Sequence, residues 1–84
     1  MNEHIFTDNG EIITQFAGGH STIIATGSFG GGTYTVDFSH NKTDWTNLVS
    51  YTEKKEPIES VYLAAGFVRR KLTGATSPSL TTAI

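Results

Sequence analysis

The stretch Gly30-Gly31-Gly32-Thr33-Tyr34-Thr35-Val36-Asp37-Phe38-Ser39 decides the fold. Its three glycines supply the positive φ that a tight turn requires, and the residues after them alternate with a period of two. Tyr34, Val36 and Phe38 therefore share a face that belongs on a core, while Thr33, Thr35 and Asp37 point to solvent or a partner. A glycine-rich loop that cradles phosphate needs a helix N-terminus behind it and a Lys-Ser/Thr pair. Alternation follows here instead, so the glycines read as a hairpin turn.

The same grammar extends in both directions. Towards the N-terminus, Ser21 to Phe29 is an extended segment with Ile23 and Ala25 on one side and Ile24 on the other, and Gly27 marks a bulge or a close backbone approach. Gly18-Gly19 separates it from a strand over Glu11 to Phe16. The turn signal Asp8-Asn9-Gly10 precedes that strand, leaving residues 1–9 as an N-terminal arm or a short first strand over His4 to Thr7. Towards the C-terminus, the Asx-rich loop Ser39 to Asp44 leads to Trp45, Leu48, Val49 and Tyr51, and Thr52 to Pro57 is the most charged stretch and an exposed loop. Ile58 to Leu63 alternates, although Glu59 to Phe67 also admits a short helix. Ala64-Ala65-Gly66 makes a corner before a strand over Phe67 to Thr73. There Val68 and Leu72 share one face and Arg69 and Lys71 the other. Strict alternation puts Arg70 beside Val68 and Leu72, so it is expected at a sheet edge or snorkelling outward. Gly74 to Pro78 turns the chain into a closing strand over Ser79 to Ile84. The sum is an all-β domain over residues 10–84: an antiparallel β-sandwich or partly open barrel of seven or eight short strands.

With 84 residues there is room for one core, and with no cysteine there is no disulfide frame, thiol nucleophile or cysteine-bound zinc. Six Lys and Arg against eight Asp and Glu give a net charge of −2, which argues against general binding to a nucleic-acid backbone. Apolar runs such as Val61 to Phe67 fall far short of the roughly 18 residues that cross a bilayer, and the N-terminus has no basic leader, so a soluble product of a reducing cytoplasm without a membrane partner is expected.

The chemistry-bearing residues are sparse. His4, His20 and His40 lack the close spacing that presents two imidazoles to one metal, and read as polar positions near strand ends. The oxygens of Asp37 to Asp44 lack the pattern of an EF-hand loop, so they are expected to bond their own turn. Ser, His and Asp occur without a nucleophile elbow, and Glu53 with Glu56 lie in a solvated loop where nothing separates their acidities. The expectation is a non-enzyme with no metal and no cofactor. Arg69-Arg70-Lys71 is either an exposed strand face guarding against aggregation or an interface patch for acidic groups of a neighbour. Trp45, Tyr51, Tyr62 and Tyr34 are first of all material for the core of so small a domain, and only then a platform for sugars.

Ala25 to Ser39, Asp44-Trp45-Thr46-Asn47-Leu48, Ala65-Gly66-Phe67-Val68-Arg69 and Thr73-Gly74-Ala75-Thr76 together resemble small β-sandwich structural proteins of tailed bacteriophages. The loop before Trp45 differs from the Ser-x-Asp-Gly-Gly-x-x-Trp form in such sequences, being one residue shorter and without glycine. The resemblance implies a virion protein assembled in the host cytoplasm, in first place a capsid decoration or cement protein. It would be a homotrimer binding the major capsid protein or another virion protein, with contacts at His4, Ile5, Phe6, Arg69 and Lys71. A tail or head-tail surface subunit, a carbohydrate- or receptor-binding module and a small monomeric inhibitor or regulatory binder are the alternatives.

Overall fold

Each alternating segment becomes a strand, eight among the described residues: β1 (Glu3–Phe6), β2 (Gly10–Phe16), β3 (Gly19–Ser28), β4 (Thr33–Ser39), β5 (Thr46–Thr52), β6 (Ile58–Leu63), β7 (Gly66–Thr73) and β8 (Ser79–Ala83). The structure is a computed structural model and describes residues 3–52 and 58–84, so the charged loop around Glu53 and Glu56 lies outside the described residues. The segment for which a helix was a second reading is strand throughout β6 and the start of β7.

Pairing follows a nested plan. β1 pairs with β8, β2 with β7, β3 with β6 and β4 with β5, all antiparallel, as in one long ribbon folded back on itself with the β4–β5 hairpin at its tip. Two further pairings, β3 with β8 and β4 with β7, roll that ribbon into two four-stranded sheets of order β1-β8-β3-β6 and β2-β7-β4-β5. This is the strand order of a jelly roll, and it settles the choice between sandwich and barrel in favour of two packed sheets. Residues 3–6 are a strand of the first sheet, registered from Glu3 opposite Ala83 to Phe6 opposite Leu80, and not a free arm.

The core lies between the sheets and holds Phe6, Ile23, Ala25, Phe29, Tyr34, Val36, Val68, Leu72 and Leu80. Period-two alternation explains its membership, since inward residues of both sheets meet across the roughly 10 Å that separates packed sheets. Phe38 is only partly buried at its margin. At one end the connections interlock. The Phe29 carbonyl accepts from Gly32 N–H at 3.0 Å, the Gly30 carbonyl accepts from Thr76 N–H at 2.9 Å, and the Asn9 side chain bonds the backbone of Ala75 twice. Gly27, at φ 113°, lets β3 run against β8: a Cβ there would collide with the Ser79 carbonyl oxygen.

Arg70 corrects the expectation of an edge or snorkelling position. β7 is flanked by β2 and β4, and alternation holds through residue 70, so the side chain enters the sandwich and is 1% exposed. Its Nη1 donates to Thr82 Oγ1 at 3.3 Å, and the Thr82 hydroxyl donates to the His4 carbonyl at 2.8 Å. This polar line crosses from one sheet to the other and ends on β1. Desolvation of so buried a cation is costly, and its hydrogen bonds repay part of that cost.

Candidate functional site

The two outer faces of the sandwich differ in chemistry. On the face of β2-β7-β4-β5, alternation sets Phe67, Arg69 and Lys71 in a row on β7, with Glu11 opposite Lys71 and Ile13 opposite Arg69 on β2. Asp37 lies opposite Arg69 on β4. The sequence pattern points Asp37 outward, and so it does, but it is 6% exposed because the neighbouring side chains close over it. Arg69 donates from Nε at 3.1 Å and Nη2 at 2.9 Å to Asp37 Oδ2, and Asn47 Nδ2 donates to Oδ1 at 2.9 Å. The guanidinium also stacks 4.4 Å from the Trp45 ring, and the Lys42 ammonium sits 5.0 Å from the Phe67 ring. The register shift of β4 against β5 at Val36/Asp37 is a bulge at the same spot. Arg69 is thus held inside its own chain, and Trp45 is covered by it.

The hairpin loop beside this face is self-contained. Ser39 Oγ accepts from the backbone N–H of Asn41 and Lys42, and Asn41 Oδ1 accepts from those of Thr43 and Asp44 at 2.8 and 2.9 Å. Side-chain oxygens bond their own turn, in line with the Asx reading. Lys42 takes φ 67°, a left-handed backbone conformation that residues other than glycine seldom adopt.

The face of β1-β8-β3-β6 is of another kind. Ile5, Thr81 and Thr26 form one row across three strands, Ile24 and Ala83 another, and His20 with Tyr62 a third. Among the described residues the only formal charge on this face is Glu3, at its corner. Ile5 is 52% and Tyr62 72% exposed, and the His20 and Tyr62 rings meet edge-on at 4.8 Å.

The five residues singled out from the sequence do not form one surface. Phe6 is in the core, and His4 packs inward against it with ring centroids 4.5 Å apart. Ile5 alone of the three points out of β1. Arg69 and Lys71 lie on the opposite side of the sandwich. Tyr62 and His20, prominent on the uncharged face, read from the sequence as core or sugar-platform material and as a polar strand-end position, not as contact residues, because single residues in a short alternating strand carry no signal of what lies beside them. Of the other aromatics, Tyr34 is fully buried and stacks 6.5 Å from Tyr51 in the interior.

Tyr34 shares that interior with Arg70. Burial pushes its phenol up to about 12, with Thr82 and the Arg70 charge acting the other way. Burial draws the Arg70 guanidinium below its ordinary value, opposed by Tyr34. A surface groove of about 370 Å³ lies at the β2–β3 turn between Gln15, His20 and Ile84. Among the described residues no three His, Cys, Asp or Glu side chains gather as metal ligands. No family model matches the chain, and no curated protein or solved structure matches it.

Proposed function

We propose that the chain is a non-enzymatic structural protein of a tailed-phage virion, a capsid decoration or cement protein that binds neighbouring subunits through the uncharged face of β1-β8-β3-β6. The observation that carries this reading is the contrast between the two faces. One carries charges and pairs Asp37 with Arg69 within the chain, and the other offers Ile5 and Tyr62 at its two edges with threonines between them. Depletion of charge with an exposed aromatic is the composition of an interface core. The jelly-roll order is compatible with such a role and does not specify it.

Size adds a constraint. The molecule measures 33 × 23 × 17 Å, so the flat outline of its broad side is about 760 Å². A standard interface takes about 800 Å² from each partner. A face of this size suffices for about one standard contact, and many copies acting together, as in a trimer seated on a symmetric shell, add avidity to it. The exposed Tyr62 also favours a second reading, a carbohydrate- or receptor-binding module in which its ring stacks on a sugar.

The test sizes the purified protein by analytical ultracentrifugation and co-sediments it with undecorated heads of a tailed phage. Saturable binding at symmetry-related sites supports the proposal. A monodisperse monomer that stays in the supernatant overturns it.

A further inference from the structure

We infer that Asn9 is a protein-ageing site: a deamidation-prone amide that the fold holds in a protected state, and whose conversion unlatches the N-terminal strand. Asn9-Gly10 is the chain's only Asn-Gly pair, the other asparagines being followed by Glu, Lys or Leu. Glycine offers the least hindered backbone nitrogen, so this pair is where the following amide most readily attacks the asparagine side chain. In the reaction Gly10 N bonds to Asn9 Cγ, the Cγ–NH₂ bond breaks and ammonia leaves, giving a succinimide. Water then opens the ring to aspartate or, by cleavage on the other side, to isoaspartate. One water enters and one ammonia departs, without oxidant or reductant.

The structure bears on both the rate and the consequence. Asn9 Nδ2 donates to the Ala75 carbonyl at 3.0 Å, and Ala75 N–H donates to Asn9 Oδ1 at 2.7 Å. Both polar atoms of the amide are therefore engaged with the backbone of one residue 66 positions away. Attack at Cγ turns that planar centre tetrahedral and swings both atoms out of line, so it requires the two bonds to open first. Asn9 is exposed, so water for the hydrolytic step is at hand.

Once the amide is an acid, the donor facing the Ala75 carbonyl is gone, and a carboxylate oxygen faces that carbonyl instead. Isoaspartate adds a backbone atom to the β1–β2 turn as well. Either product loosens the tie between that turn and the β7–β8 turn. β1 is then held by its pairing with β8, the burial of Phe6 and the Thr82–His4 bond but no longer by the tie between the two turns, so it opens more often.

Peptide mass spectrometry on the intact chain, incubated folded and in concentrated urea at the same mildly alkaline pH, tests this. Conversion at Asn9 should be at least about tenfold slower when folded, the factor expected from two net hydrogen bonds. Asn41 and Asn47 should stay intact in both samples. Gly10→Ala, which meets open space and needs no positive φ, should fold normally and nearly abolish conversion in urea. Asn9→Asp, a mimic of the product, should speed hydrogen exchange of the Ile5 and Phe6 amides severalfold. Equal rates in folded and unfolded chains, or no conversion in urea, would overturn the protected-site inference. Unchanged exchange in Asn9→Asp would overturn the latch.

Discussion

Replacing Asp37 by alanine removes the acceptor of three hydrogen bonds, two from Arg69 and one from Asn47. Bonds to charged groups contribute about 1.5–3 kcal/mol each when counted singly, and breaking a fully buried pair costs about 3–5 kcal/mol. Here the Asp37 side chain is 8% exposed but the Arg69 side chain 20%, so the freed Arg69 turns partly to water and the loss falls to about 2–3 kcal/mol. For 84 residues at about 2.1 cal/mol/K each, the unfolding entropy is about 0.18 kcal/mol/K, so the midpoint drops by roughly 11–17 °C. Asp37→Asn keeps the shape and an acceptor for Asn47, and should lose about half as much. Thermal melts followed by circular dichroism measure both. A double-mutant cycle with Arg69→Ala should return a coupling of about 1–2 kcal/mol. A loss below about 0.5 kcal/mol, or a coupling indistinguishable from zero, would refute the claim that Asp37 and Arg69 pair within the chain.

Tyr34 sets a test in alkali. Its phenol is raised from 10 to about 12 by burial, so above pH 10 the unfolded chain gives up a proton that the folded chain keeps. Its contribution to stability is full below pH 10 and is lost as pH rises towards about 12, at up to about 1.4 kcal/mol per pH unit, and Tyr34→Phe should remove that slope from denaturant titrations. Gly27→Ala drives a methyl group into the Ser79 carbonyl at a positive φ and should cost about 2–4 kcal/mol or prevent folding. Gly19→Ala, with φ 113° but open space, should cost only about 1 kcal/mol in the same urea titration. Phe6→Ala should lose about 3–4 kcal/mol as a core truncation, whereas Ile5→Ser on the same strand should stay within about 0.5 kcal/mol of wild type.

Strand positions were legible because alternation and glycine turns are local signals. Val36 and Val68 could be placed inward from their own neighbours alone, and the β4–β5 loop declared itself by its Asx residues. What stayed hidden depends on pairs far apart in sequence. Asp37 and Arg69 are 32 residues apart and become partners only because β4 lies beside β7, so each alone looked like a group awaiting an external partner. Arg70 looked like a violation of the pattern that the chain would relieve at an edge. The pattern instead held, because Thr82 and the fold around it give the cation polar company inside. Residues 3–6 carried too short an alternation to distinguish a strand from an arm, and β8 resolves it by pairing with them. Tyr62 was grouped with the other aromatics as core material, since nothing local tells an outward tyrosine of an edge strand from an inward one. The uncharged face was invisible for the same reason, being assembled from four strands that are brought together by pairings between distant parts of the chain.

The central claim is that assembly uses the face of β1-β8-β3-β6. Ile5→Lys combined with Tyr62→Lys places two charges on that face without touching the core, and Ile13→Lys places one on the opposite face, where Ile13 is 42% exposed. Head co-sedimentation of the three proteins, each first shown to melt like wild type, compares the faces directly. The double variant should lose at least about tenfold in affinity, and Ile13→Lys should bind within about twofold of wild type. Wild-type binding by the double variant, with binding lost in Ile13→Lys, would contradict the assignment.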